Sequence, residues 1–170
     1  MTIRSWDAWG HLAGRYRDLS RPRRILALDG GGIRGLITLQ VLDALESQWR
    51  QRLGAGPDFR LCDVFDYIGG TSTGAIIAAG LARGMSTGEL LAFYRSFGRG
   101  VFTRRSILDL WKSLYGNGPL EHQLQQTFGA DTTLEAQHLR TLLLVVTRNA
   151  TTGSAWPVSS NPSAKYNDPT

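Results

Sequence analysis

Residues 65–83 of this chain read FDYIGGTSTGAIIAAGLAR, where an apolar strand pattern runs directly into an apolar helix pattern. The turn between the two patterns has the form GxSxG, and a sharp strand-to-helix reversal of this kind requires small residues on both sides of the serine. Ser72 is therefore predicted to be a nucleophile. A helix over residues 74–83 would present free amide groups and its positive dipole end to the charge that develops in acyl transfer. The alternative is a glycine-rich turn in which Ser72 only caps this helix.

A second glycine motif lies upstream, where residues 24–35 read RILALDGGGIRG. The carboxyl ends of neighbouring parallel strands lie side by side, so this loop and Ser72 are expected to face one crevice. The amides of Gly31 and Gly32 can then point at an oxyanion formed on Ser72. Arg34 adds positive charge beside them.

The apolar runs along the chain favour an α/β fold with a mainly parallel sheet. Strands are predicted at residues 25–28, 64–68 and 139–146, and helices at residues 36–52 and 87–97. These strands are nearly continuously apolar, which is typical of strands buried on both faces between helices.

The aromatic-rich stretch from Gly98 to Gly118 favours core or interface packing, with a lipid groove or lid as the alternative. The tail from Thr151 is expected to be poorly ordered.

The motif DGGGIRG at residues 29–35, together with GTSTG, resembles the patatin-like phospholipase family. Similarity in the order of elements extends over most of residues 23–153. The resemblance implies a three-layer α/β/α fold and a serine lipid acyl hydrolase with a Ser–Asp dyad, with no metal or other cofactor. It also implies a phospholipid or another acyl ester as substrate. Ser72 would be the nucleophile, and the oxyanion loop would consist of Gly30, Gly31, Gly32 and Arg34.

The sequence departs from the family pattern at the second member of the dyad. The family's catalytic Asp lies in a DG(G/A) turn well after the serine, but no Asp after Ser72 is followed by Gly. The one Asp–Gly pair, Asp29 with Gly30, belongs to the oxyanion loop. We therefore expect a truncated, partial patatin-like domain over residues 23–170, preceded by a basic arm over residues 1–22. A serine hydroxyl without a base is a weak nucleophile, so a catalytically incomplete lipid-binding or interaction domain is the first alternative.

A dinucleotide-binding domain is a second alternative. Gly30, Gly32 and Gly35 satisfy GxGxxG between a strand and a helix, where a pyrophosphate would bind. Two features argue against this interpretation. The second strand ends in Gly69, Gly70 and Thr71 instead of an acidic residue for a ribose, and Asp29 places negative charge beside the loop.

The chain could also supply a Ser-acid-His catalytic triad, since Asp109 and either His122 or His138 follow Ser72 in that order. This is the chain order of another hydrolase class, but no supporting motif surrounds these residues.

The net charge of +5 comes mostly from arginine. An arginine cluster precedes the first strand at positions 15, 17, 21, 23 and 24; it is interpreted as a solvated, partly flexible arm or as a site of attraction to anionic phospholipid. Nucleic acid is not an expected partner, because no basic stripe interleaved with aromatic residues accompanies the cluster.

Cysteine content and hydropathy bear on the compartment. Cys62 is the only cysteine, which favours a reducing compartment and a role in buried packing. The amino terminus has no continuous apolar segment typical of a secretory signal, and no apolar run reaches the roughly 18 residues of a membrane span. A cytoplasmic protein that contacts membranes only peripherally is therefore expected.

Overall fold

A computed structural model describes residues 6–17, 19–101, 119–149, 151–162 and 164. The strands are β1 (Ile25–Leu28), β2 (Tyr67–Thr71), β3 (Leu142–Arg148) and β4 (Ala155–Ser159). The α-helices are α1 (Ala13–Arg17), α2 (Gly35–Leu53), α3 (Thr73–Arg83), α4 (Thr87–Val101) and α5 (Pro119–Phe128). Short 3-10 helices span Trp6–Leu12, Gly32–Arg34, Leu61–Asp63 and Ala136–His138.

The four strands form one sheet in the order β1-β2-β3-β4. The first three strands are parallel, and β4 pairs with β3 in the antiparallel direction. This mostly parallel sheet with its helices confirms the predicted α/β class, and it is consistent with a three-layer α/β/α arrangement. Strand β1 and most of helices α2 and α3 coincide with the predicted elements.

The main core lies between the sheet and the helices that connect its parallel strands. Because β1, β2 and β3 follow one another across the sheet, right-handed crossovers place α2 and α3 on the same face. Leucine and isoleucine side chains of both helices belong to one buried cluster with Ile68 of β2, which is fully buried. The same cluster includes Leu39, Leu42, Ile77, Leu81, Leu90 and Tyr94. The core therefore fixes the starts of α2 and α3, which carry the two glycine motifs.

The predicted position of the second strand was wrong. The strand begins at Tyr67 and continues through Gly69 and Gly70, instead of covering residues 64–68. Glycines are poor strand formers by propensity, but here they pair in parallel register with Leu144 and Val145 of β3. Tertiary pairing therefore extends β2 up to the residue before Ser72.

The tail from Thr151 was expected to be poorly ordered, and this expectation was wrong for residues 155–159. They form β4, an edge strand that tolerates Pro157. The Asn149 side chain accepts hydrogen bonds from the amides of Thr151 and Thr152, which closes the hairpin between β3 and β4. The polar composition of this segment thus reflects a turn followed by an edge strand.

The arginines before β1 make specific contacts with a buried carboxylate at the start of β2. Asp66 is 1% exposed. Its Oδ1 accepts a hydrogen bond from Arg15 Nε at 3.0 Å, and its Oδ2 accepts hydrogen bonds from an Arg21 guanidinium nitrogen at 3.0 Å and from the Arg24 amide at 2.9 Å. The expectation of a solvated, flexible segment was therefore wrong for Arg15 and Arg21. The division of the chain at residue 22 remains a prediction.

Two further expectations concern the chain beyond these elements. The aromatic-rich stretch at residues 102–118 lies outside the described residues, so its predicted packing or lid role stays a prediction. Within the described part of the chain, no helix combines the length and apolar character that crossing a membrane requires.

The contacts of Asp66 predict acid-sensitive stability. Burial alone raises the pKa of this carboxyl, but hydrogen bonds from Arg21, the Arg24 amide and Arg15 outweigh burial and lower the pKa to about 2. Because the folded pKa lies below the unfolded value, the stabilisation is complete above about pH 4 and is lost as the pH falls towards about 2. We expect Asp66→Asn to lower the free energy of unfolding at neutral pH by about 2 kcal/mol and to flatten its decline in acid.

Urea unfolding followed by circular dichroism across this pH range measures both effects. Asp58→Asn is the matched control, because Asp58 is an exposed carboxylate in the loop after α2. An equal acid dependence in both variants would contradict the assignment.

Candidate active site

Ser72 lies in a strained turn between the end of β2 and the start of α3. Its backbone has φ 50° and ψ −126°, and among the described residues it is the one non-glycine position with positive φ. A side chain in this conformation is costly and persists only where the surrounding structure enforces it. Such a turn presents the serine hydroxyl at the carboxyl edge of the sheet, as in a nucleophile elbow.

The Ser72 side chain does not cap the helix that follows it. Ser72 occupies the N-cap position of α3, but its side chain makes no capping hydrogen bond. The residue is also exposed. The capping alternative is therefore wrong, and the hydroxyl remains accessible to a substrate.

Glycines allow the loop after β1 to pack directly against this turn. A Cβ atom on Gly74 would collide with the carbonyl oxygen of Leu28, and one on Gly70 would collide with the carbonyl of Gly74. A Cβ atom on Gly30 would lie 2.7 Å from the Cβ of Ser72. No side chain fits at these three positions, so glycine is what brings the two predicted motifs into contact.

The threonines on either side of Ser72 bind the amides of the glycine loop. Gly30 N donates to Thr71 Oγ1 at 2.9 Å. Gly31 N and Gly32 N both donate to Thr73 Oγ1, at 3.2 Å and 3.1 Å. The structure thus brings all three predicted loop glycines to the elbow, with their amides donating to neutral hydroxyls. A negatively charged oxygen is a stronger acceptor than a hydroxyl, so an oxyanion can compete for these donors.

Arg34 is the fourth predicted member of the loop. Its amide donates to the carbonyl oxygen of Gly31 at 3.1 Å, which closes the tight turn before α2. Its side chain is exposed, and its Nε lies 3.7 Å from the position that a Cβ of Gly31 would occupy. The guanidinium group therefore stands beside the glycine loop.

Tyr94 of α4 also binds the glycine loop, a contact that the sequence alone did not indicate. Tyr94 is 1% exposed, and its hydroxyl donates to the carbonyl oxygen of Gly32. Burial raises the pKa of Tyr94, and the neighbouring Thr73 hydroxyl partly offsets this shift. Gly35 leaves room for the phenol, because a Cβ there would collide with the tyrosine hydroxyl. The sequence motifs include Gly35, but no local pattern indicates that it leaves space for a tyrosine from α4.

The structure separates His138 from Ser72. His138 lies just before Arg140, whose amide donates to the carbonyl oxygen of Ala82 at 2.7 Å. Ala82 is near the end of α3, whereas Ser72 precedes its start, and a helix of 11 residues is about 16 Å long. The triad alternative is therefore wrong for His138.

The structure does not place the remaining triad candidates, Asp109 and His122, beside Ser72. Asp109 and Asp168 lie outside the described residues, and His122 is exposed on α5. In the described ranges, no group of three or more His, Cys, Asp or Glu is placed to hold a metal ion. Cys62 is fully buried, and its burial raises the thiol pKa to about 11, in agreement with a packing role.

The packing of the loop also weakens the dinucleotide alternative. A pyrophosphate would need open space beside Gly30, but the Cβ atom of Ser72 lies 2.7 Å from the position that a Gly30 Cβ would take. The elbow itself lies against the loop at Gly30. The geometry is thus suited to a reaction on Ser72.

The comparison with known families matches this architecture. A model described as patatin-like phospholipase matches residues 26–169. The chain belongs to the patatin-like phospholipase family.

Several curated proteins are similar to this patatin-like chain. It is 36% identical over 141 residues to a cGAMP-activated phospholipase of Escherichia coli (strain TW11681), covering 79% of this chain and 39% of that protein. A cGAMP-activated phospholipase of Vibrio cholerae is 34% identical over 149 residues, covering 81% of this chain and 41% of that protein. Patatin-17 of Solanum cardiophyllum is 39% identical over 94 residues, covering 51% of this chain and 24% of that protein.

Among solved structures, the type III effector ExoU aligns with a TM-score of 0.42 and 15% identity, covering 82% of this chain and 36% of ExoU. The patatin-like chain thus spans about two-fifths of the two bacterial relatives.

The glycine contacts predict that alanine at position 74 is destabilising, although alanine normally stabilises a helix. Gly74→Ala would force a Cβ into the backbone of Leu28, so we expect a loss of at least about 2 kcal/mol in the free energy of unfolding. Gly56→Ala is the control, because a Cβ at that position meets no atom within 4 Å. Urea unfolding of both variants checks the prediction, and equal stability would contradict the packing of the two motifs.

The positive φ of Ser72 predicts a trade-off between stability and reactivity. Ser72→Gly relieves the strain and is expected to raise the free energy of unfolding by about 1 kcal/mol. Ser72→Ala removes the same hydroxyl but keeps a Cβ, so it is not expected to gain this stability. Thermal unfolding of the two variants compares them directly. A Ser72→Gly variant no more stable than Ser72→Ala would show that the turn is unstrained.

Proposed function

We propose that this chain carries the nucleophile and oxyanion loop of a serine lipid acyl hydrolase that acts on phospholipids or related acyl glycerides. The observation that supports this most is the exposed, uncapped hydroxyl of Ser72 in a strained elbow that packs against Gly30. Family membership and the phospholipase names of the relatives agree with the same chemistry.

In the proposed reaction, Ser72 Oγ attacks the carbonyl carbon of the ester and loses its proton to a base. The carbonyl electron pair moves onto oxygen, and the amides of Gly31 and Gly32 exchange a neutral hydroxyl for this oxyanion. The start of α3 and the charge of Arg34 favour the same negative oxygen. The leaving alcohol takes a proton as the tetrahedral intermediate collapses, and water then releases the fatty acid from Ser72.

The general base is the one part of this mechanism for which no sequence motif identifies a residue. The family resemblance implies an Asp in a DG(G/A) turn, and no Asp after Ser72 is followed by Gly. We therefore assign this role to an Asp that the present sequence does not contain. The proposal predicts that acylation of Ser72 by this chain is limited by proton removal.

We also propose that the protein is cytoplasmic and contacts membranes peripherally through basic residues near β1. Arg17 and Arg24 are exposed, while their neighbours Arg15 and Arg21 bind Asp66. Each basic residue close to an anionic bilayer contributes about 1 kcal/mol, so this attraction is modest and sensitive to salt.

Fatty acid release tests the proposed hydrolase. The 170-residue chain would be incubated with phosphatidylcholine vesicles and with a short-chain nitrophenyl ester, with Ser72→Ala as the matched variant. We expect slow release by the wild-type chain that rises at least about tenfold when formate or acetate supplies the missing carboxylate base, and no such rise in Ser72→Ala.

The absent Asp favours one competing function, a lipid-binding domain without turnover. Vesicle flotation separates the two functions. Equal binding by wild type and Ser72→Ala, with no fatty acid release at any formate concentration, would contradict the hydrolase and support the binding domain.

A further inference from the structure

Thr73 is the point where two amides of the glycine loop converge. It is the first residue of α3, and it is 7% exposed. Its Oγ1 accepts hydrogen bonds from Gly31 N at 3.2 Å and Gly32 N at 3.1 Å. A hydroxyl oxygen has two acceptor positions, and these two bonds use both of them.

Tyr94 binds the same glycine loop from inside the core. Its hydroxyl donates to the carbonyl oxygen of Gly32, whose amide donates to Thr73 Oγ1. Thr73 thus holds the amide of Gly32 and Tyr94 holds its carbonyl group, so both polar groups of this residue are fixed.

We propose that Thr73 is a positioning residue, which acts with Tyr94 to hold the Gly31 and Gly32 amides beside Ser72 before substrate arrives. This inference rests on the proposed function, because these amides are the donors assigned to the oxyanion. Preorganised donors stabilise developing charge without reorganising during the reaction. Substrate then replaces the Thr73 oxygen as acceptor while Tyr94 continues to hold the Gly32 carbonyl.

The neighbouring Thr71 offers an internal comparison. It is exposed, and its Oγ1 accepts a hydrogen bond from Gly30 N at 2.9 Å. The two threonines therefore hold different amides of one loop. Removing the Thr73 hydroxyl should therefore release the amides of Gly31 and Gly32 and leave that of Gly30 bound. Removing the Thr71 hydroxyl should have the opposite effect.

Amide hydrogen exchange measured by NMR resolves these bonds individually. Thr73→Val keeps the shape of the side chain but removes its hydroxyl. We expect exchange of the Gly31 and Gly32 amides to accelerate at least about tenfold, with that of Gly30 unchanged. Thr71→Val should show the reverse pattern, and Thr73→Ser should restore protection. Thermal unfolding is measured for each variant, so that a global loss of stability is distinguished from a local one.

Covalent labelling of Ser72 by a fluorophosphonate, with formate present, connects these amides to the reaction. Thr73→Val is expected to lower the maximal labelling rate constant about tenfold without changing the probe concentration at half-saturation, because the amides act on the developing charge. Tyr94→Phe should lower the same constant to a smaller extent. Thr73→Ser should recover most of the wild-type rate.

The outcomes separate this inference from the proposed function. Unchanged exchange at Gly31 and Gly32 in Thr73→Val would overturn the inference, as would a labelling rate that is unchanged or increased in that variant. A wild-type chain that shows the expected exchange pattern but is never labelled would support the positioning of the amides and contradict the hydrolase.

Discussion

The candidate active site depends on the close approach of two backbone segments, the loop after β1 and the turn after β2. Gly30 lies against Ser72, and Gly74 lies against the carbonyl of Leu28, at distances that exclude a Cβ atom. This contact holds Ser72 at positive φ, because a turn free to relax would leave that conformation. The position of Ser72, the proposed nucleophile, is thus a consequence of backbone packing.

Polar side chains hold the neighbouring segments at both ends of the sheet, but the groups involved differ. At the carboxyl end, the hydroxyls of Thr71, Thr73 and Tyr94 bind the peptide groups of the glycine loop. At the amino end, the carboxylate of Asp66 binds Arg15 and other donors that precede β1. A buried polar group is costly unless it is hydrogen-bonded, so both networks restrict how the surrounding segments pack. The first network holds the glycine loop against the turn at Ser72, and the second attaches the amino-terminal helices to the sheet.

Much of the fold was predictable because apolar patterns are local. Strand β1 and the helices α2 and α3 were predicted close to their observed bounds, since glycines and polar residues mark their ends. The predicted end of β2 was wrong, because pairing with β3 overrides the low strand propensity of Gly69 and Gly70. The edge strand at residues 155–159 was missed because its turn and proline residues are also typical of a loop.

The sequence by itself determined the α/β class, the location of the two glycine motifs and the choice of Ser72, because each depends on residue types at short, fixed spacing. It also established that the family's DG(G/A) Asp is absent after Ser72. Only the tertiary structure decided that Ser72 does not cap α3, that Thr73 collects two loop amides and that Tyr94 reaches Gly32. These features join residues far apart in the chain, and their geometry follows from packing against a common core, which no local pattern encodes.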